Sequence, residues 1–229
     1  MRAFTIAGLV GAAGYLGYQA AHPRAQRWGP GFHRGPGKTN AVYLTFDDGP
    51  SNETEHFLDL LAEHGAKATF FVCGRNIERR PQPARRALAE GHVLGNHTQN
   101  HRFLLGLGPA GVRDEVARAQ HAIEDATGTS PRLFRPPYGV RSPWLPPALA
   151  EHDLVSVHWT VIGNDWALPA PGVLARVRPA MDDPGAIICL HDGDGVRAEA
   201  DRRATLEATA DLLRGREGTD FRTLEASGE

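Results

Sequence analysis

The stretch AVYLTFDDGP, residues 41–50, governs how the rest of the chain is read. Residues 41–46 are apolar or β-branched and read as a buried strand. Asp47 and Asp48 stand at the strand exit, and Gly49-Pro50 forces the chain to turn. Adjacent side chains of an extended strand point to opposite faces, so neighbouring acids share a site only where the backbone turns. Asp-Gly is also an ordinary turn dipeptide, and taken alone the pair is compatible with a plain polar turn.

Beyond residue 41, short apolar runs alternate with helical patterns. Strands are expected at 41–46, 67–72, 92–96, 132–135, 154–159, 186–190 and 221–225. Helices are expected at 54–64, 82–90, 110–126, 144–151, 171–180 and 199–213. Asn52 lies three residues before Glu55, the spacing of a capping box, and Gly65 ends that helix. This α/β alternation implies a mostly parallel sheet with right-handed crossovers. Seven strands suit either a barrel-like closure or an open doubly wound sheet, and periodicity does not separate the two. Both folds gather chemistry at the C-terminal ends of their strands.

The unusual polar residues fall at those ends. His97 and His101 follow the third strand in GNHTQNH, and Arg135 leads RPPYG after the fourth. Asp165-Trp166 follows the fifth, and His191 ends the sixth. Two histidines with one carboxylate form a common ligand set for a catalytic divalent ion with an open position for water. The ion lowers the pKa of bound water toward neutrality, so the second aspartate becomes a plausible base. The residues alone do not say which aspartate does which. His191 suits proton delivery to a leaving atom, Asp165 could orient its ring, and Arg135 could tether the free aspartate. Trp166, beside Asp165, is the aromatic residue best placed to line a sugar pocket, and Trp144 could cover the opening. Trp159 reads as core.

The rest of the chain bounds the function. The 229 residues carry a formal charge of −2, which gives no electrostatic reason to expect a nucleic-acid partner. Cys73 and Cys189 sit in apolar segments and read as buried structural thiols. Residues 4–21 are uncharged; as a helix, 18 residues rise about 27 Å, near the hydrocarbon thickness of a bilayer. Residues 1–21 therefore read as a signal-anchor or transmembrane segment, although glycine and alanine weaken the drive for insertion. Residues 22–40 read as a linker and 41–229 as the catalytic domain, held outside the cytoplasm at the cell membrane or secreted.

Taken in order, TFDDGP (45–50), HTQNH (97–101), RPPYG (135–139), DW (165–166) and ICLHD (188–192) resemble the motifs of the polysaccharide deacetylase family, with its NodB-homology domain. The likeness spans roughly residues 40–226. It implies a distorted (β/α) barrel of about seven parallel strands. By resemblance, Asp47 is the general base, and Asp48, His97 and His101 are the ligands of one divalent ion. Zinc is the first choice, with cobalt, nickel or manganese as alternatives. Arg135 tethers the base, the Tyr138 backbone N–H helps hold the oxyanion, His191 is the general acid with Asp165 behind it, and Trp166 lines the pocket. The implied reaction is metal-dependent hydrolysis of acetyl groups from an N-acetylated polysaccharide or oligosaccharide. An O-acetyl esterase acting on xylan and a non-catalytic carbohydrate-binding domain are the rival readings. Two positions depart from the family pattern. Ile162 replaces the first Asp of Asp-x-x-Asp-Trp, and Cys189 replaces the leucine expected on the methyl-binding floor.

Overall fold

The computed structural model describes residues 14–29, 31–35, 40–215 and 219–226. Its strands are β1 (Gly31–Phe32), β2 (Ala41–Asp47), β3 (Ala68–Val72), β4 (Val93–Asn96), β5 (Leu133–Phe134), β6 (Val155–Val157), β7 (Val161–Ile162), β8 (Ile187–His191) and β9 (Asp220–Phe221). The helices are α1 (14–21), α2 (Thr54–Glu63), α3 (Gly74–Arg79), α4 (Pro81–Ala89), α5 (Pro109–Thr127), α6 (Leu145–Ala150), α7 (Ala170–Val177) and α8 (Arg203–Arg214). The sheet runs β1-β6-β5-β4-β3-β2-β8-β7, with β9 joined to the start of β2. Every strand pair in it is parallel. The curled, helix-wrapped sheet is the distorted barrel implied by the motifs.

Alternation along the strands divides the core in two. Val42, Leu44 and Phe46 of β2 join Phe70, Ile188 and Leu190 in the cluster that meets the helices. The intervening residues Ala41 and Tyr43 cluster with Phe71, Leu133, Val157 and Ile187 inside the curl. By the period of two, that inner face continues as Thr45 and Asp47 on β2, Cys189 and His191 on β8, and Arg135 just past β5. The barrel interior is thus apolar at the bottom and ionisable at the top.

The two additional strands frame the opening. β1 pairs with β6, and Arg34 just beyond it bridges antiparallel to Ala186 at the entry of β8. Segment 31–35 therefore closes the gap between the two edges of the sheet. It lies in the stretch read as linker, where proline and glycine mask so short a strand. β7 is only two residues long, too short for a periodic signal. At α2 the capping box is not made. Glu53 is the N-cap, and the Asn52 side chain instead bonds Ala200 and Glu53.

The membrane-anchor expectation is corrected. Residues 1–13 lie outside the described residues, and among the described residues no helix is long and apolar enough to cross a membrane. In the described part of the expected span residues 14–18 are exposed, while Gln19 and Ala20 are buried. The Ala20 carbonyl accepts the Arg141 N–H at 2.8 Å, and the buried Arg141 guanidinium donates to the carbonyls of His22 and Pro23.

Candidate metal centre and active site

The turn after β2 is held open by an unusual backbone. Asp48 adopts φ 77°, which swings its side chain round to the same opening as Asp47. Phe71 and Asn76 fix the turn, accepting from the Asp48 N–H at 3.1 Å and donating to its carbonyl at 2.7 Å. Gly49 is required by close approach, because a Cβ there would lie 2.3 Å from Asp192 Oδ2. Thr98, His101 and Tyr138 also have positive φ, at 66°, 54° and 59°. Four left-handed non-glycine residues at one opening store roughly 1–3 kcal/mol each, a concentration found at functional sites.

The histidines reach the same point without a helix. Thr98 N–H bonds Asn96 Oδ1, and His101 N–H bonds the Thr98 hydroxyl, so 97–101 is a tight turn. Buried Glu115 of α5 anchors it by accepting from Asn100 at 2.8 and 2.9 Å. His97 Nδ1 is 2.7 Å from the Arg135 carbonyl, which fixes that nitrogen as the donor and leaves Nε2 with a free lone pair. His97 Nε2 and His101 Nε2 lie 3.3 and 3.1 Å from Asp48 Oδ1.

These three groups fit a divalent ion. Tetrahedral ligands at 2.0–2.2 Å from an ion stand roughly 3.4 Å from one another. Asp48 Oδ1 is buried with no hydrogen-bond partner in the protein, as expected of an oxygen reserved for a cation. Burial pushes the Asp48 carboxyl up, but the close approach of the His97 ring and the His101 charge prevail and hold it well below the usual range. Burial lowers His101 to about 4, which keeps its imidazole neutral for ligation. Asp47, Cys189 and His191 also lie within 4.8 Å of one another, yet they do not make a second centre. Burial pushes the Cys189 thiol up, so its sulfur stays a neutral thiol rather than a thiolate ligand.

Asp47 Oδ1 accepts from Arg135 Nη1 at 2.7 Å, and Oδ2 faces the Cys189 thiol at 3.4 Å. Arg135 is fully buried and well supplied with partners. It donates to the Thr45 hydroxyl and the carbonyls of Val157 and His158, and its guanidinium stacks 4.1 Å over Phe71. On the opposite wall His191 Nδ1 meets Asp165 Oδ1 at 2.8 Å, while Asp165 Oδ2 accepts from the His191 N–H and the Thr205 hydroxyl. Burial alone would lower His191, but Asp165's charge and hydrogen bond dominate and raise it to about 9. The imidazole is therefore protonated at neutral pH. Both carboxylates, the three histidines, Tyr138 and Trp166 line one pocket of about 410 Å³.

Residues 34–157 match the polysaccharide deacetylase family. The chitooligosaccharide deacetylase of Bradyrhizobium sp. is 44% identical over 162 residues, 68% of this chain and 72% of that protein. The chain belongs to the polysaccharide deacetylase family. A solved peptidoglycan N-acetylglucosamine deacetylase, bound to a hydroxamate, superposes with TM-score 0.75 at 31% identity, covering 84% of this chain and 89% of the other. A family 4 carbohydrate esterase from Streptomyces lividans, bound to acetate, gives 0.72 at 32%, covering 82% and 95%.

Set against the family's motifs, the expected residues converge with differences in detail. Tyr138 is exposed, its ring 4.6 Å from His101, and its N–H donates to no protein group among the described residues. Trp166 is exposed, edge-on to His191 at 5.1 Å. Cys189 is fully buried and not part of the pocket wall, so its thiol meets the Asp47 carboxylate rather than the pocket space. Ile162, in place of the family's Asp, lines the pocket, whereas Trp144 does not. Trp159, read as core, does both: it packs on the inner cluster and reaches the pocket. The sequence reading also missed Asp194–Val196 and Arg202, which complete the wall; they lie in a charged, aperiodic stretch with no motif to mark them.

Proposed function

We propose that this chain is a metal-dependent hydrolase that removes acetyl groups from N-acetylated amino sugars, with Asp47 as general base and His191 as general acid. The observation that carries the reading is the pairing of an ion site, Asp48–His97–His101, with an Arg-tethered carboxylate and an Asp-backed histidine around one pocket. A divalent ion held by Asp48, His97 and His101 supplies Lewis acidity to the acetyl carbonyl and makes water acidic enough to be deprotonated. Zinc suits two imidazoles and a carboxylate in this spacing and is the proposed metal, with cobalt, nickel and manganese as competitors.

Asp47 accepts the proton of the attacking water on Oδ2, the oxygen that Arg135 leaves free. The Tyr138 N–H donates to the oxygen on which negative charge develops. His191, held in one tautomer by Asp165, delivers a proton to the departing sugar nitrogen, and acetate is released. Trp166 and Tyr138 offer aromatic surface to the sugar ring beside the reacting group. No covalent enzyme intermediate forms.

The substrate proposed is a chitooligosaccharide or a peptidoglycan glycan strand, following the relatives named for those polymers. A wall polymer places its action outside the cytoplasm, as a secreted enzyme. Acetate release should be measured on chitooligosaccharides, peptidoglycan, poly-N-acetylglucosamine and acetylated xylan, each with and without added divalent ions. Release from an N-acetylated glycan that stops on metal removal is the expected result. Release confined to acetylated xylan would replace this reading with an esterase.

A further inference from the structure

Arg202 stands in an electrostatic situation that the hydrolytic chemistry does not use. The side chain is only 8% exposed, yet it lines the catalytic pocket. Its Nε donates to the Gly193 carbonyl at 2.8 Å, which pins the stem of the side chain two residues beyond His191. Among the described residues its terminal Nη groups have no hydrogen-bond partner, and no carboxylate lies within ion-pair distance. The other two deeply buried arginines among the described residues contrast with it. Arg135 holds a carboxylate, a hydroxyl and two carbonyls, and Arg141 donates from both terminal nitrogens to carbonyls. Asp194 shares the pocket wall with Arg202, but its Oδ1 is occupied by the N–H groups of Val196 and Arg197.

A guanidinium held through its Nε at the pocket wall, with both terminal nitrogens free of protein partners, presents a fork to a planar anion. We propose that Arg202 forms a carboxylate subsite, reading an acidic group on the sugar next to the one whose acetamido group is cleaved. The inference rests on the deacetylase reading for its location and narrows the substrate from neutral to acidic glycans. A lactyl ether on an amino sugar and a uronic acid both present such a carboxylate.

The test uses the zinc-loaded full chain carrying Asp47→Asn, so that bound glycan is not consumed. Dissociation constants are measured by calorimetry for three tetrasaccharides. One alternates N-acetylglucosamine with lactyl-ether sugars, one is the same glycan with its carboxylates reduced to alcohols, and one alternates N-acetylglucosamine with uronic acids. The expected result is about tenfold or tighter binding of a carboxylate form over the reduced form, from one charge-assisted pair. The arm that binds tighter identifies the source of the carboxylate. Arg202→Gln should bring the ratio near one, and Arg202→Lys should restore part of it. Equal affinity for charged and reduced glycans would overturn the proposal. So would an Arg202→Gln ratio like that of the parent, or a loss shared by all three glycans, which marks a structural strut. Acetate release by the protein with Asp47 intact, followed separately, tests the deacetylase reading, so the two can fail independently.

Discussion

Replacing Asp165 by asparagine isolates the proton-delivery side of the site. The change is isosteric, keeps an acceptor for Thr205, and removes the charge that faces His191 at 2.8 Å. In the intact site His191 is raised from 6.5 to about 9, which at 1.36 kcal/mol per unit is about 3 kcal/mol in favour of the imidazolium. Asp165 is the strongest of the influences that raise it, and Asp48 and Asp47 add less. A cation at Asp48 offsets that carboxylate's share and leaves Asp165's in place. Without Asp165, burial dominates and His191 falls to 6.5 or lower. At pH 7 the protonated fraction then drops from nearly all to about a quarter or less.

The sign is clear. A group acting as an acid must be protonated, so kcat/KM holds below its pKa and declines above it. The unaltered protein should lose activity as pH rises through about 9; in Asp165→Asn the decline should begin near or below 6.5. At pH 7 the loss should be on the order of 10²-fold or more, combining lost protonation with lost orientation. The assay is acetate release against pH with zinc saturating. An alkaline limb that stays near pH 9 in the variant would refute the assignment of His191 as the acid held by Asp165.

Other outcomes follow from the same geometry. Asp47→Asn should keep one bound metal and lose about 10²–10⁴ in kcat, whereas His97→Ala should lose the metal as well, read by elemental analysis beside the assay. Arg135→Met leaves a buried carboxylate unpaired and should lower unfolding free energy by about 3–5 kcal/mol in urea. Arg135→Lys should not restore it, because one ammonium cannot serve four partners. Gly195→Ala would place a Cβ 2.3 Å from the His101 ring, and weakened zinc affinity with little change in stability is expected in a competition titration. His191 also links stability to pH. Its folded pKa is raised, so its contribution is full below about 6.5 and is lost as pH rises through about 9, a loss visible in urea midpoints.

Much of this was legible in the sequence because strand ends carry the chemistry. TFDDGP, the histidines four apart and LHD each sit where a parallel strand stops, and the barrel rim brings them together. What the residue pattern could not supply was conformation. That Asp47 and Asp48 share one opening depends on the φ of 77° at Asp48, and no local propensity announces it. His97 and His101 converge through a turn anchored by Glu115 on α5, a long-range contact rather than a helical spacing. Trp159 was read as core because an aromatic residue after an apolar strand is ordinarily buried. Arg202 was passed over because one arginine in a charged stretch reads as solvated. The expectation of a membrane segment failed where uncharged composition was taken for apolarity; near its described end the Ala20 carbonyl accepts from the Arg141 N–H instead.

The most direct measurement is a titration of zinc into the rigorously metal-free protein, with acetate release from an N-acetylated chitooligosaccharide read at each step. The account predicts no release at the start, a linear rise, and a plateau at one equivalent per chain. Full activity without added metal, or a rise that continues well past one equivalent, would contradict a single ion held by Asp48, His97 and His101.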